Sequence, residues 1–113
     1  MSNNIKPFII HIHDDKPNSA SLLLTEFREK THIFAERADE GWEGGGYDWG
    51  SIAQVVLDEK VPELAKKIDF DPEGSMFCAY GEIDAVQKLG EAMKKVYDND
   101  DVLRDLLSRA ELD

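Results

Sequence analysis

The chain has 113 residues, 42% of them hydrophobic, which suits one small domain over residues 1–113 with a single buried core. Its 24 acidic residues outnumber 13 basic ones and give a net charge of −11, which argues against partners such as nucleic acid or an anionic membrane surface. The single cysteine excludes an internal disulfide, and no apolar run has the length of a bilayer span or the character of a signal peptide. We therefore expect a soluble, cytoplasmic protein, whose negative charge favours either plain solubility or a basic partner.

The N-terminal third predicts a β-hairpin followed by a short helix. Residues 8–13 alternate as a strand, and residues 16–19 carry Pro and Asn at the two central positions of a turn. Residues 21–27 are predicted as the return strand. From residue 29 to about residue 39 the apolar spacing changes to that of a helix.

The strongest helical pattern begins after Asp48, which we predict to be the N-cap. Apolar residues recur at helical steps from Trp49 to Ile68, and Pro62 must either kink this helix or begin a second one.

The C-terminal half predicts a second hairpin and two further helices. Residues 68–71 and 75–80 alternate as strands around a turn at 71–74, and the second strand, apolar on both faces, is predicted to be central in the sheet. Helices follow over residues 83–97 and from an Asn99 or Asp100 cap to residue 110. The fold class is therefore α+β, with an antiparallel sheet of about four strands in two hairpins, covered by three to four helices.

Two features suggest catalytic or metal chemistry, and each has a simpler explanation. His11 and His13 share one face of a strand and could bind a metal with Asp15 or His32, but such a pair also arises on any half-polar strand. Cys78 lies in an apolar strand, where a thiol is usually a small buried hydrophobe rather than a nucleophile.

The glycine run Gly44–Gly46 suggests an ordered loop that needs positive φ or close backbone approach. It does not match a phosphate-binding loop. The dinucleotide pattern would need a glycine in place of Trp49, and the P-loop pattern would need a lysine in place of Tyr47. We predict no nucleotide, cofactor or metal.

Acidic and aromatic residues concentrate between residues 36 and 48, a composition that suits a binding site for a basic protein. The predicted partner-binding residues are Glu36, Asp39, Glu40, Trp42, Glu43 and Tyr47. Trp49 is in phase with the core stripe and is predicted to pack inward, whereas for Trp42 and Tyr47 an inward and an outward orientation are equally compatible with the sequence. The competing surface is the acidic C-terminal region, with Asp98, Asp100, Asp101 and Asp105.

Several segments together resemble the immunity protein 51 family of bacterial polymorphic toxin systems. They are GWEGGGYDW at 41–49, VPEL at 61–64, FDPEGSMFCAY at 70–80 and LLSRA at 106–110. The resemblance implies a non-enzymatic, cytoplasmic protein that binds and blocks a toxin encoded beside it, with no catalytic or metal-binding residues to carry over.

Because many toxins of this kind are basic and act on nucleic acid, the resemblance and the acidic composition favour a basic toxin domain, with a nuclease as one option. A small enzyme and a general protein-interaction module remain alternative functions, and the sequence does not determine the oligomeric state.

Overall fold

Two antiparallel hairpins form one four-stranded sheet in the computed structural model, which describes residues 5–112. Strand β1 (Ile9–Ile12) pairs with β2 (Ser19–Leu24), and β3 (Ile68–Phe70) pairs with β4 (Phe77–Glu82). The hairpins join through β2 and β4, which gives the order β1-β2-β4-β3. The predicted sheet, its two hairpins and the central position of β4 are confirmed.

The strands differ from the predicted ones at their ends. β2 begins at Ser19 because its carbonyl oxygen accepts a hydrogen bond from the N–H of His13 at 2.9 Å. β4 continues to Glu82 because Gly81 pairs with Ile68 on one side and Ala20 on the other. Cross-strand pairing, which local sequence does not report, therefore decides where these strands stop.

Within the described part of the chain, four α-helices accompany the sheet: α1 (Thr31–Ala35), α2 (Gly46–Glu59), α3 (Ile83–Tyr97) and α4 (Asp100–Leu107). The bounds of α3 match the prediction. Asn99 is confirmed as the cap of α4, since its side-chain oxygen accepts the N–H groups of Asp101 and Val102. None of the helices described over residues 5–112 is long and apolar enough to cross a bilayer.

Two helical predictions need correction, and a third, at Pro62, is decided between its alternatives. The helix expected over residues 29–39 is the short α1 flanked by two 3₁₀ turns, Arg28–Lys30 and Ala38–Glu40. At Pro62 the second of the two predicted outcomes is confirmed, since α2 ends at Glu59 and Pro62 begins a separate 3₁₀ turn. α4 ends at Leu107 rather than at residue 110.

The helices pack on one face of the sheet. α3 contacts β1, β2 and β4, while α2 contacts β4. The centre of this layer is Trp49, fully buried, whose ring centroid lies 5.6 Å from that of Phe34, 5.7 Å from Tyr97 and 6.2 Å from Phe8. The inward packing predicted for Trp49 is confirmed.

Candidate partner-binding surface

Asp48 connects the glycine-rich loop to α2. Its Oδ2 accepts the backbone N–H groups of Glu43 and Gly44, each at 2.6 Å, and its side chain is almost fully buried. The prediction that Asp48 is the N-cap is wrong, because the helix begins at Gly46 and Gly45 takes the cap position. The carboxylate lies in the first turn and reaches back to the loop, where the positive end of the helix dipole also stabilises its charge.

Two of the loop glycines are required for different reasons. Gly44 has φ +91°, and a β-carbon there would lie 3.3 Å from the Phe34 ring. At Gly46 the backbone passes so close to the β3–β4 connection that a β-carbon would overlap the carbonyl oxygen of Glu73. The Gly46 N–H also donates to the carbonyl of Gly74 at 3.1 Å. The loop is therefore an ordered element fixed against that connection.

The two loop aromatics point in opposite directions. Trp42 is only 4% exposed and packs beside Phe34, with ring centroids 6.4 Å apart. Tyr47 is 49% exposed on the first turn of α2. Trp42 therefore belongs to the core and offers a partner almost no surface, which leaves Tyr47 as the accessible aromatic of the predicted set.

The predicted carboxylates divide into paired and unpaired groups. Glu36 forms a fork with Arg104, with two N–O distances of 3.0 Å, and the guanidinium lowers the pKa of Glu36. Glu40 binds Arg37 at 3.0 Å. Asp39 and Glu43 are exposed and form no ion pair with any residue of the described chain. Asp39 and Glu43 are therefore free to meet a partner's bases.

The acids of the competing C-terminal surface are already paired within the chain. Each of its acids forms an ion pair with a base of this chain, the four acids being Asp98, Asp100, Asp101 and Asp105. Because a partner would have to displace these contacts, this surface suits a basic partner less well than the region around Tyr47 does.

A groove of about 600 Å³ opens along α2, one helical turn beyond Tyr47. We call it the acidic groove. It is lined by residues from α2, from the β3–β4 hairpin and from the C-terminal segment: Gly50, Ser51, Gln54, Val55, Asp58, Glu59, Phe70, Pro72, Arg109, Glu111 and Leu112. Tyr47, Ser51, Gln54 and Asp58 follow one another at three- and four-residue steps, so they share one face of the helix.

The groove combines negative charge with apolar surface. Three carboxylates, on Asp58, Glu59 and Glu111, face the single base Arg109, which leaves the lining at −2. Arg109 binds Glu59 and Asp105, each at 2.8 Å, and its hydrogen bonds lower the pKa of both carboxyls. Sequence reasoning missed this groove. The α2 face was readable from the spacing, but the approach of residues 109–112 was not.

The histidine pair does not form a metal site. Both ring nitrogens of His13 lie 2.7 Å from serine hydroxyls, Nδ1 from Ser19 and Nε2 from Ser21. His32 lies beside Asp100 instead of near the pair. Among residues 5–112 no group of three His, Cys, Asp or Glu side chains is arranged to hold a metal ion.

The thiol of Cys78 is not activated. The side chain is buried in β4, and burial raises its pKa, which disfavours the nucleophilic thiolate. The structure therefore gives no support to the cysteine or histidine chemistry considered from the sequence.

The family model for immunity protein 51 matches residues 8–112 of this chain, nearly its whole length. No curated protein and no solved structure matches this chain. The match agrees with the resemblance found in the segments around the glycine loop, the second hairpin and the C-terminus.

Proposed function

We propose that this chain, which belongs to the immunity protein 51 family, neutralises its cognate toxin by binding it directly and without catalysis. The family match supports a role in toxin immunity and implies a toxin as the partner. The observation on which we base the binding surface is an exposed Tyr47 that lies close in the chain to two unpaired, exposed carboxylates and one helical turn from the acidic groove. We call Asp39, Glu43, Tyr47 and the acidic groove together the Tyr47 surface.

The geometry of the Tyr47 surface suits tight binding. Tyrosine has few rotatable bonds and is enriched among residues that dominate binding energy. The backbone under Tyr47 is fixed by the two hydrogen bonds to Asp48, so little conformational entropy is lost when a partner binds.

The chemistry of the surface suits a basic toxin domain, such as a nuclease with a positive substrate-binding face. A net charge of −11 would accelerate encounter with such a face. Within the acidic groove, Val55, Phe70 and Pro72 could cover the aliphatic stem of a lysine or arginine. The carboxylates of Asp58 and Glu111 would meet its charged end. We place this encounter in the cytoplasm, where an immunity protein would protect the cell that makes the toxin.

The direct experiment is co-expression with the adjacent gene, which we expect to encode the toxin. We expect the two proteins to purify together and the cells to survive toxin expression. Failure of the wild-type protein both to bind and to protect would contradict the function. If the double reversal Asp39→Lys with Glu43→Lys leaves binding unchanged, only the assignment of the binding surface is contradicted.

A further inference from the structure

A second groove, of about 510 Å³, carries the opposite charge. It lies where the end of α2 meets α3 and α4. Three lysines rim it, Lys60, Lys88 and Lys95, with Glu91 as the one acid in its lining. The lining is therefore positive by two charges in a protein whose net charge is −11. We call it the lysine groove.

The three lysines of the groove have no ion-pair partner among residues 5–112, in contrast to the arginines. All four arginines of the chain form ion pairs, and so do Lys30 and Lys94. Lys60, Lys88 and Lys95 are exposed, and within residues 5–112 none of their side chains forms an ion pair or a hydrogen bond. Their charges are thus available to an external anion.

The floor of the groove is apolar. Val61, Ala92 and Val102 are each partly buried against the core, and Val96 lies beneath them. An anion consisting of charge alone would leave this floor exposed to water. The ligand that fits both features therefore carries apolar groups as well as carboxylates.

The spacing of the lysines gives the scale of the ligand. Lys88 and Lys95 are seven residues apart on α3, so their α-carbons are separated by about 10 Å, two helical turns. Carboxylates two turns apart on an amphipathic helix, with apolar side chains between them, would match this arrangement.

We propose that the lysine groove docks a short acidic, amphipathic segment of a partner protein. Its apolar side chains cover Val61, Ala92 and Val102, and its carboxylates pair with the three lysines. The acidic groove and the lysine groove share no lining residue, so this inference does not depend on the toxin-binding surface proposed above.

Two other occupants fit less well. Nucleic acid would meet only three lysines together with Glu91, and the acidic remainder of the protein would repel its phosphates. A second copy of this chain would bring its own charge of −11 and would be repelled at long range.

The test uses one synthetic peptide and two matched controls. The probe is a peptide of about 14 residues, four helical turns, with leucines on one helical face and glutamates flanking them. One control replaces every glutamate with glutamine, and the other replaces every leucine with serine. Titration into the ¹⁵N-labelled full chain should shift the amide signals of residues 60–61 and 88–102, and each control should bind at least about tenfold more weakly.

Protein variants distinguish the effect of the groove on binding from the effect of the protein's net charge. Lys88→Glu with Lys95→Glu should weaken binding of the probe by about tenfold or more. Lys66→Glu with Lys67→Glu changes the net charge equally at exposed lysines outside the groove and should leave the affinity nearly unchanged. Ala92→Trp should weaken binding by filling the groove without changing any charge.

Four results would overturn the proposal. They are no amide shifts in the groove at about 1 mM probe, equal binding of the serine control, equal loss of affinity in both lysine double variants, and sedimentation showing that the groove mediates self-association. Circular dichroism of each variant confirms that it is folded, so that a loss of binding can be assigned to the groove.

Discussion

The carboxylate of Asp48 accepts the backbone N–H of Gly44 at 2.6 Å, across a turn in which Gly44 has φ +91°. This contact joins a left-handed loop residue to the first turn of α2. It holds Tyr47, which lies between the two residues in the chain, on a fixed backbone. The rigidity of the proposed binding surface therefore depends on one buried carboxylate.

We expect Asp48→Ala to lower the free energy of unfolding by about 1–3 kcal/mol, because the buried N–H of Gly44 and the partly buried N–H of Glu43 lose their acceptor. Asp48→Asn keeps an acceptor oxygen but loses the charge, so its stability should lie between those of the parent and Asp48→Ala. Glu63→Ala, at an exposed site, should be close to neutral. Denaturant melts monitored by circular dichroism measure all three. An Asp48→Ala protein as stable as the parent would show that these hydrogen bonds do not hold the loop.

Glycine substitutions should follow the local geometry instead of affecting the loop uniformly. Gly44→Ala should cost about 1–2 kcal/mol through its left-handed backbone. Gly46→Ala should cost about 2–3 kcal/mol or more, because the new methyl group overlaps the backbone at Glu73. Gly74→Ala is the control, since its β-carbon would meet only the Tyr47 ring at 3.8 Å. Equal melting temperatures for the three variants would contradict the close approach seen at Gly46.

Substitution of Trp42 should affect stability, whereas substitution of Tyr47 should affect binding. Trp42→Ala should lower the free energy of unfolding by about 3–5 kcal/mol, as expected for a large buried side chain. Tyr47→Ala should change it by less than about 1 kcal/mol, yet cost about 2 kcal/mol of toxin binding, mainly through faster dissociation. Thermal melts and surface plasmon resonance give the two readouts. If Tyr47→Ala leaves the dissociation rate unchanged, Tyr47 is not the anchor.

Charge reversal at Asp39 and Glu43 should act on the association rate. These carboxylates are unpaired, so Asp39→Lys with Glu43→Lys breaks no internal ion pair, whereas reversal of Glu40 would also break its pair with Arg37. The variant should associate more slowly with the toxin, with a flatter salt dependence and a nearly unchanged melting temperature. Asp14→Lys with Glu63→Lys makes the same change in net charge elsewhere. An equal slowing in both variants would mean that total charge, not this surface, steers the encounter.

Acid should weaken the attachment of α4 and of the segment that follows it. Arg104 and Arg109 lower the pKa of Glu36 and Glu59, so in the folded state these carboxyls release their protons more readily than in the unfolded chain. Their stabilising contribution is present above the ordinary glutamate pKa of 4.5 and is lost as pH falls through the lowered value. Glu36→Gln with Glu59→Gln should therefore melt earlier than the parent at pH 7 and lose less stability between pH 5 and pH 3. The control is Asp39→Asn with Glu63→Gln. If Glu36→Gln with Glu59→Gln loses as much stability as the parent between pH 5 and pH 3, these two carboxyls are not the origin of the acid sensitivity.

The sequence by itself determined the features that depend on neighbours along the chain. The apolar period over residues 83–97 was sufficient to give both ends of α3, and the same kind of spacing placed Trp49 in the core. The two hairpins followed from local turn residues, and the segments around the glycine run were sufficient to indicate the family.

Only the tertiary structure decided which charges and aromatics remain free. Trp42 and Tyr47 have similar sequence surroundings, but Phe34 provides a buried neighbour for Trp42 alone. Glu36 is neutralised by Arg104, 68 residues away, a partnership that exists because α1 packs on α4. The two grooves likewise form where distant segments meet. Periodicity reports which side of an element is apolar, but the partner of a charge depends on packing between elements, which no local pattern encodes.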